Sequence, residues 1–516
     1  MKYTRVHQCF AQITFLKMYK IYWLLFTFFF SCILSLPCFS NPSTLEKEFT
    51  GPYTSVSIGY ATPTDKSIAS SFGHSFLVLY NESISLSADV ANFAAVDSPD
   101  NFFDKVSSGF SSVLDIRVKK YSLHEHISHY SNTQSRDIYL YEMSASQQEI
   151  ALLVNYLNTF NSQHNKYHYT HANCSSYILD ALTYSNIAPP LKNAITQINT
   201  PQQLIRYTKE SSIVSSTYNI KSILHKMQAY YLSLEPAAKR NFLAHAENIK
   251  AQQVSAINPA STGEIEALFY YFKLNKINYE YTPSTYKDIM QKFAAKKTTS
   301  VIEPLNTSAI DPSLTTPLHS VSFQNQFGQY NSTSIGYAMG QDQYTPKRHL
   351  QLGNANIPFA FQYQRDNTIP KDIFSLQFLN VVRREDFNFI TLKPSWAVLL
   401  GSDYTSQQDN TIFNAFIDFD FGLSYFGLYN KYYLFAGAAG NCSFNTSNCA
   451  INPTLEAAYR FNPSHSFNIE LNAGQNNLVS AHISSFITNR LSLQYGLSHN
   501  TTINTQLYVG AAYFFD

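Results

Sequence analysis

Two side chains of this sequence could do covalent chemistry together, Cys174 and His74. Cys174 opens a helix-like stretch, Asn173-Cys174-Ser175-Ser176-Tyr177-Ile178-Leu179-Asp180-Ala181-Leu182, and Asn173 is a favourable residue to cap it. Unpaired amides and the helix dipole at such an end favour thiolate over thiol, which makes the sulfur nucleophilic. The nucleophile needs a base, and the best candidate is His74 in Ser71-Phe72-Gly73-His74-Ser75-Phe76-Leu77-Val78-Leu79-Tyr80. This segment reads as a strand apolar on both faces, with His74 on the side of Phe72, Phe76 and Val78. An imidazole in such company needs a polar partner to offset its burial. Each residue alone has a plainer reading, Cys174 as a small core hydrophobe and His74 as a satisfied core histidine. Together they point to acyl transfer or hydrolysis of an amide or ester. Cys174 would attack the carbonyl, His74 would carry the proton, and helix-end amides would hold the oxyanion.

The compartment follows from the N-terminus. Lys17 and Lys20 precede an apolar run from Ile21 to Leu36, then Pro37-Cys38-Phe39-Ser40 and polar sequence. This reads as a signal peptide over residues 1–40, with Met18 an alternative start. A lipoprotein reading through Cys32 or Cys38 fits less well, because Pro37 stands where a small residue is wanted. Cleavage after Ser40 removes Cys9, Cys32 and Cys38. Of the remaining three, Cys442 and Cys449 bracket a polar turn and are expected to form a local disulfide in an oxidising compartment. Cys174 is then the odd thiol.

Further segments accompany the pair: Asn92-Phe93-Ala94-Ala95, Arg136-Asp137-Ile138-Tyr139-Leu140-Tyr141 followed by Ser146-Gln147-Gln148-Glu149, and Tyr167-His168-Tyr169 before Asn173-Cys174-Ser175. With Phe72-Gly73-His74-Ser75-Phe76-Leu77 they resemble, in order and spacing, the Lnb N-terminal periplasmic domain family of Gram-negative envelope proteins, over about residues 50 to 200. The order histidine first, cysteine later also resembles circularly permuted papain-like enzymes, including the lecithin retinol acyltransferase group. That resemblance implies a thiol on a helix end packed against a sheet bearing the histidine, with a third polar group on a neighbouring strand. Asn92 is the candidate for orienting the imidazole, and a turn asparagine is the alternative. Tyr177 and Ile178 stand where relatives often carry basic residues, which leaves substrate recognition open. Envelope location suggests peptidoglycan, lipoprotein acyl groups or lipids as substrates, and the sequence chooses none.

Metal and cofactor chemistry is not expected. His168, His171 and Cys174 fall at steps of three, and His124, Glu125, His126 and His129 form a second group. Neither stretch supplies a paired cysteine knuckle, and the second reads as solvated loop histidines. Arg136 and Asp137 are expected to pin the chain entering the strand 138–141.

The elements around these residues give an α+β chain with a permuted papain-like N-terminal domain at 41–205, a helical connector at 206–300, a linker at 301–318 and an antiparallel β-barrel at 319–516. A Ser146 to Glu149 capping box starts an amphipathic helix with Ile150, Leu153, Val154 and Leu157 on one face. Ile223, Leu224, Met227 and Tyr231, then Ile265, Leu268, Phe269 and Phe272, carry the helical pattern onward. After the Pro, Ser and Thr-rich stretch 298–317 the period becomes two, as in Phe413, Ala415, Ile417, Phe419, Phe421, Leu423 and Tyr425. The last strand, with Leu507, Val509, Ala511, Tyr513 and Phe515, resembles the closing strand of outer-membrane barrels. A soluble sandwich shares that alternation. Export, 14% charged residues against roughly 25% in ordinary domains, and 15% aromatics favour a barrel of about eight to twelve strands in outer-membrane lipid. Asp418 and Asp420 would face its lumen. A formal net charge of +1 offers no footprint for nucleic acid. The favoured reading is a barrel-anchored periplasmic cysteine hydrolase or acyltransferase. The alternatives are a non-enzymatic assembly or binding protein and a small-solute channel.

Overall fold

The computed structural model describes residues 48–515, apart from 64–72, 82–84, 97–113, 169–171, 191–199, 276–282, 295–302, 305–310, 315–318, 342–354, 384–394 and shorter stretches between barrel strands. The expected leader lies outside the described residues. The N-terminal unit is built on a seven-stranded sheet in the order β4-β3-β2-β1-β5-β6-β7. Its strands are β1 (Ser55–Ala61), β2 (His74–Tyr80), β3 (Asp89–Ala95), β4 (Ile116–Ser122), β5 (Ile138–Met143), β6 (Val214–Ile220) and β7 (Glu303–Pro304). β1 and β2 are almost wholly buried because both faces are covered, which explains why the β2 segment reads as apolar on both faces.

One face packs on α2 (Gln147–Phe160), α3 (Cys174–Tyr184) and α4 (Pro201–Glu210), burying Ile58, Leu77, Leu79 and Phe93 with Leu153, Ile178 and Leu182. The Ser146 to Glu149 capping box forms as expected, and Ile150, Leu153 and Leu157 are buried. The other face gathers Phe76, Val78, Val90, Ile138 and Leu140 under α1 (Leu123–Ile127) and a π-helical turn, Ser128–Thr133. The sheet does not stop at residue 205: that position lies inside α4, and β6 and β7 extend the sheet beyond it.

Between β6 and β7 the chain folds into a helical unit with its own core, α5 (Ile223–Ser233), α6 (Pro236–Lys250), α7 (Thr262–Asn275) and α8 (Pro283–Ala294). Asp137 ties it to the sheet: one carboxylate oxygen accepts from the Ser222 amide at 2.7 Å, where α5 begins, and the other meets His225 Nδ1 at 2.8 Å. The stretch expected to be a free linker is partly docked. Asp311, 5% exposed, accepts from Tyr141 Oη at 2.9 Å and from Ser313 N and Oγ at 2.9 and 2.7 Å, and it pairs with Lys209.

The C-terminal unit is a closed antiparallel barrel of twelve strands, β8 (His319–Phe327), β9 (Ser332–Gln341), β10 (Ala355–Asp366), β11 (Lys371–Arg383), β12 (Ser395–Gln407), β13 (Asn410–Phe426), β14 (Lys431–Ser443), β15 (Asn448–Asn462), β16 (His465–Asn472), β17 (Leu478–Phe486), β18 (Leu491–Asn500) and β19 (Asn504–Phe515). β19 closes it by pairing with β8, which removes every open edge. The alternation resolves into an outside bearing exposed Val321, Phe323, Phe413, Phe421, Leu507 and Val509, and an inside bearing Asp418 and Asp420. Cys442 and Cys449 face each other across β14 and β15 and are disulfide-bonded. Among the described residues no helix is long and apolar enough to cross a membrane.

Removing Asp311 leaves the Tyr141 hydroxyl and the Lys209 ammonium without their shared acceptor. Asp311→Ala is expected to cost about 3 kcal/mol in chemical denaturation and to expose the Pro312–Leu314 turn to limited proteolysis.

Candidate active site

Gly73, at φ 90°, occupies a backbone region that residues with a Cβ rarely adopt, and it turns the chain into β2 so that His74 stands opposite Ala61 of β1. Asn92 lies on β3, beside β2, and projects from the same face as His74. His74 Nε2 and Asn92 Oδ1 are 2.6 Å apart. An amide oxygen can only accept, so this contact places the ring proton on Nε2 and leaves Nδ1 as the basic nitrogen.

Cys174 is the first residue of α3 and is 7% exposed. The cap forms as expected: Asn173 Oδ1 accepts from the Ser175 and Ser176 amides at 2.9 and 3.4 Å, and Ser176 Oγ accepts from the Asn173 amide at 2.9 Å. The thiol meets the start of β2, where the His74 ring and the amide and hydroxyl of Ser75 act on it electrostatically, and its Sγ lies 3.9 Å from Ser175 Oγ. Burial alone would push this thiol up. The imidazole and the two Ser75 donors outweigh it and pull the pKa down to about 6, so the sulfur is largely ionised at neutral pH. Sequence reasoning placed Cys174, His74 and Asn92 together, and the structure brings all three to one point.

It missed Ser75, which is fully buried and 3.1 Å from Ser175 Oγ. Its place directly after His74 was a signal, but its contact with sulfur depends on how α3 docks. The second histidine group is helical rather than a loop, and His124 and His129 are exposed as expected, whereas His126 is not. Ser122 and Glu125 form a capping box that starts α1, and His126 is 5% exposed. His126 packs edge-on against Phe76 and Tyr130, with ring centroids 4.7 and 5.2 Å away. Burial first, then the nearby His74 and His129 rings, push its pKa down to about 3, so it is a neutral wall of the site. Among the described residues no three His, Cys, Asp or Glu side chains are grouped to hold a metal, and His171 lies outside them.

Arg136 does pin its segment, and more. Fully buried, it donates to the carbonyls of Ala61 and Thr62 and to Gln134 Oε1, and its guanidinium lies 4.7 Å from the Tyr130 ring centroid. Tyr130 in turn sits 5.8 Å from the His74 ring, so the strand end carrying the base is fixed from behind.

Residues 50–211 match the model of the Lnb N-terminal periplasmic domain family. The N-terminal unit is an Lnb N-terminal periplasmic domain. Joined to a closed barrel whose outer face is apolar, it makes this an outer-membrane protein with its Lnb domain in the periplasm. No curated protein matches the chain significantly. Among solved structures, the barrel is similar to the KdgM porin in complex with disordered oligogalacturonate, at 9% identity and a TM-score of 0.25 over 38% of this chain and 99% of that one. It is also similar to the Acinetobacter baumannii outer membrane protein Omp33, at 8% and 0.26 over 39% and 100%, and to outer membrane phospholipase A from Escherichia coli, at 9% and 0.24 over 39% and 90%. Scores this low carry no argument about this chain.

Iodoacetamide alkylation of Cys174 is expected to be half-maximal near pH 6, matching the thiol's pKa. His74→Ala removes the largest opposing influence on burial, so the midpoint rises and the rate at neutral pH falls roughly a hundredfold. Asn92→Ala should move the midpoint the same way by a smaller amount. A pH profile that ignores both substitutions would show the thiol to be an inert core residue.

Proposed function

We propose that this protein is a periplasmic cysteine hydrolase or acyltransferase, held at the outer membrane by its barrel and acting on an amide or ester. The observation that carries the reading is the contact series Asn92, His74, Cys174: an orienting acceptor at 2.6 Å, an imidazole, and a buried thiol stabilised as thiolate at a helix start. This is the arrangement a thiol nucleophile requires, and it agrees with the permuted papain-like order of the two residues.

Cys174 Sγ adds to the carbonyl carbon, and the carbonyl π electrons move to oxygen. The Asn173 side chain already takes the Ser175 and Ser176 amides, which leaves the Cys174 amide as the nearest helix-end donor for that oxyanion. Collapse of the adduct breaks the bond to the amine or alcohol, which leaves with the proton held by His74, and an acyl-thioester remains. Water, or an acceptor amine or alcohol, then gives its proton to His74 and displaces the thiolate. Peptide stems of peptidoglycan, lipoprotein acyl groups and lipids all present suitable carbonyls at this location.

The test is acylation by p-nitrophenyl acetate, read by intact mass and nitrophenolate release. Acetyl-Cys174 is expected to form and then decay, with His74→Ala slowing turnover by roughly a hundredfold or more. Equal turnover in Cys174→Ala, or no acyl-thiol on a thiol that still alkylates, would sink the proposal.

A further inference from the structure

The barrel interior contains a cavity of about 450 Å³, lined by Ser322, Gln362, Ser375, Gln377, Asp403, Phe416 and Asp418 among others. Its size falls within the range of about 300–1,000 Å³ that holds small organic ligands. Its chemistry is one-sided. Asp403, Asp418, Asp420 and Glu470 all stand at inward positions of their strands, and between the rims the described inward positions hold no lysine or arginine. Asp418, Asp420 and Glu470 lie within electrostatic range of one another. Low-dielectric walls concentrate such a field along the lumen.

The polar groups around this charge are not all satisfied internally. Asp418 Oδ1 and Gln377 Nε2 are buried without a hydrogen-bond partner. Asp420, by contrast, is satisfied: it reaches over Gly437, where a Cβ would lie 2.3 Å from its Oδ1, and accepts from Thr454 Oγ1 at 2.5 Å. The wall also offers an aromatic face. Phe416 lies over Gly401, whose missing side chain gives the ring its place, since a Cβ there would be 2.3 Å from Cζ.

We propose that the lumen binds a small organic ammonium ion that also carries hydroxyl or carbonyl oxygens, seated between Asp403, Asp418 and Phe416. The ammonium donates to the carboxylates and lies against the ring, and its oxygens accept from the unpartnered amide of Gln377. A metal ion fits less well, because the described carboxylates do not converge into a coordinating group. The site is independent of the Cys174 chemistry.

The test uses the full chain in detergent micelles at low salt, with glucosamine as the probe and glucose as the neutral molecule of the same shape, titrated by saturation-transfer NMR. Saturable glucosamine binding is expected, with glucose at least about tenfold weaker and Asp418→Asn or Asp403→Asn losing about tenfold, the loss of one charge-assisted hydrogen bond. Gel mobility before and after heating checks that each variant keeps its barrel. Equal binding of glucose by the unaltered chain, no binding of either probe, or affinity indifferent to both substitutions would overturn the proposal.

Discussion

A fully buried guanidinium holds the place where Asn92, His74 and Cys174 meet. Arg136 is bound to the last carbonyls of β1 and its continuation, and stacks on Tyr130. β1 pairs with β2 so that Ala61 faces His74, so whatever fixes the end of β1 fixes the imidazole. Burial pushes the Arg136 pKa down to about 10, which leaves it charged at neutral pH, and its donors are taken by backbone and amide oxygens rather than by a carboxylate. The site therefore gains a positive charge close to the thiol with no acid competing for it. Removing a buried charge's partners is costly, and this constellation supplies them from the strand whose position matters most.

The same domain is tied to its neighbours by two carboxylates. Asp137 starts the helical unit by accepting from Ser222, and Asp311 fastens the returning chain to β5 and α4. Burial would push the Asp137 carboxyl up, but His225 and Ser222 hold it below the ordinary value. Its contribution to stability is thus complete above the ordinary carboxylate range and is lost as pH falls through it. Only 315–318 separate the docked turn from the first barrel strand, and Arg490, in the connection after β17, meets Glu210 of α4 at 3.4 Å. The Lnb domain sits close to the rim through which the chain enters the barrel.

That rim is unusual in one respect. The barrel starts at His319 and ends at Phe515 on the same side as the Lnb domain, and its longest connections, 342–354 and 384–394, are on that side. The opposite rim has only short ones, such as 328–331, 408–409 and 501–503, although outer-membrane barrels generally keep short turns on the periplasmic side.

The sequence by itself determined the periods and the caps. Alternation along 413–425 requires a sheet with one apolar face, and low charge with many aromatics puts that face in lipid. Asn173 and Ser146 act within one helical turn, so their capping could be read directly. Cys174 and His74 stood out because each sits in a local motif. Where the sheet ends, why the Pro-rich stretch docks, and what the histidines at 124–129 do were not legible, because the contacts that settle them span many residues. β7 joins β6 from 303, Asp311 reaches Tyr141, and His126 is buried only because α1 folds over Phe76. Local pattern fixes element type; long-range pairing decides which polar groups lose water and which partner replaces it. That replacement alone brings the Ser75 donors to the buried Cys174 sulfur.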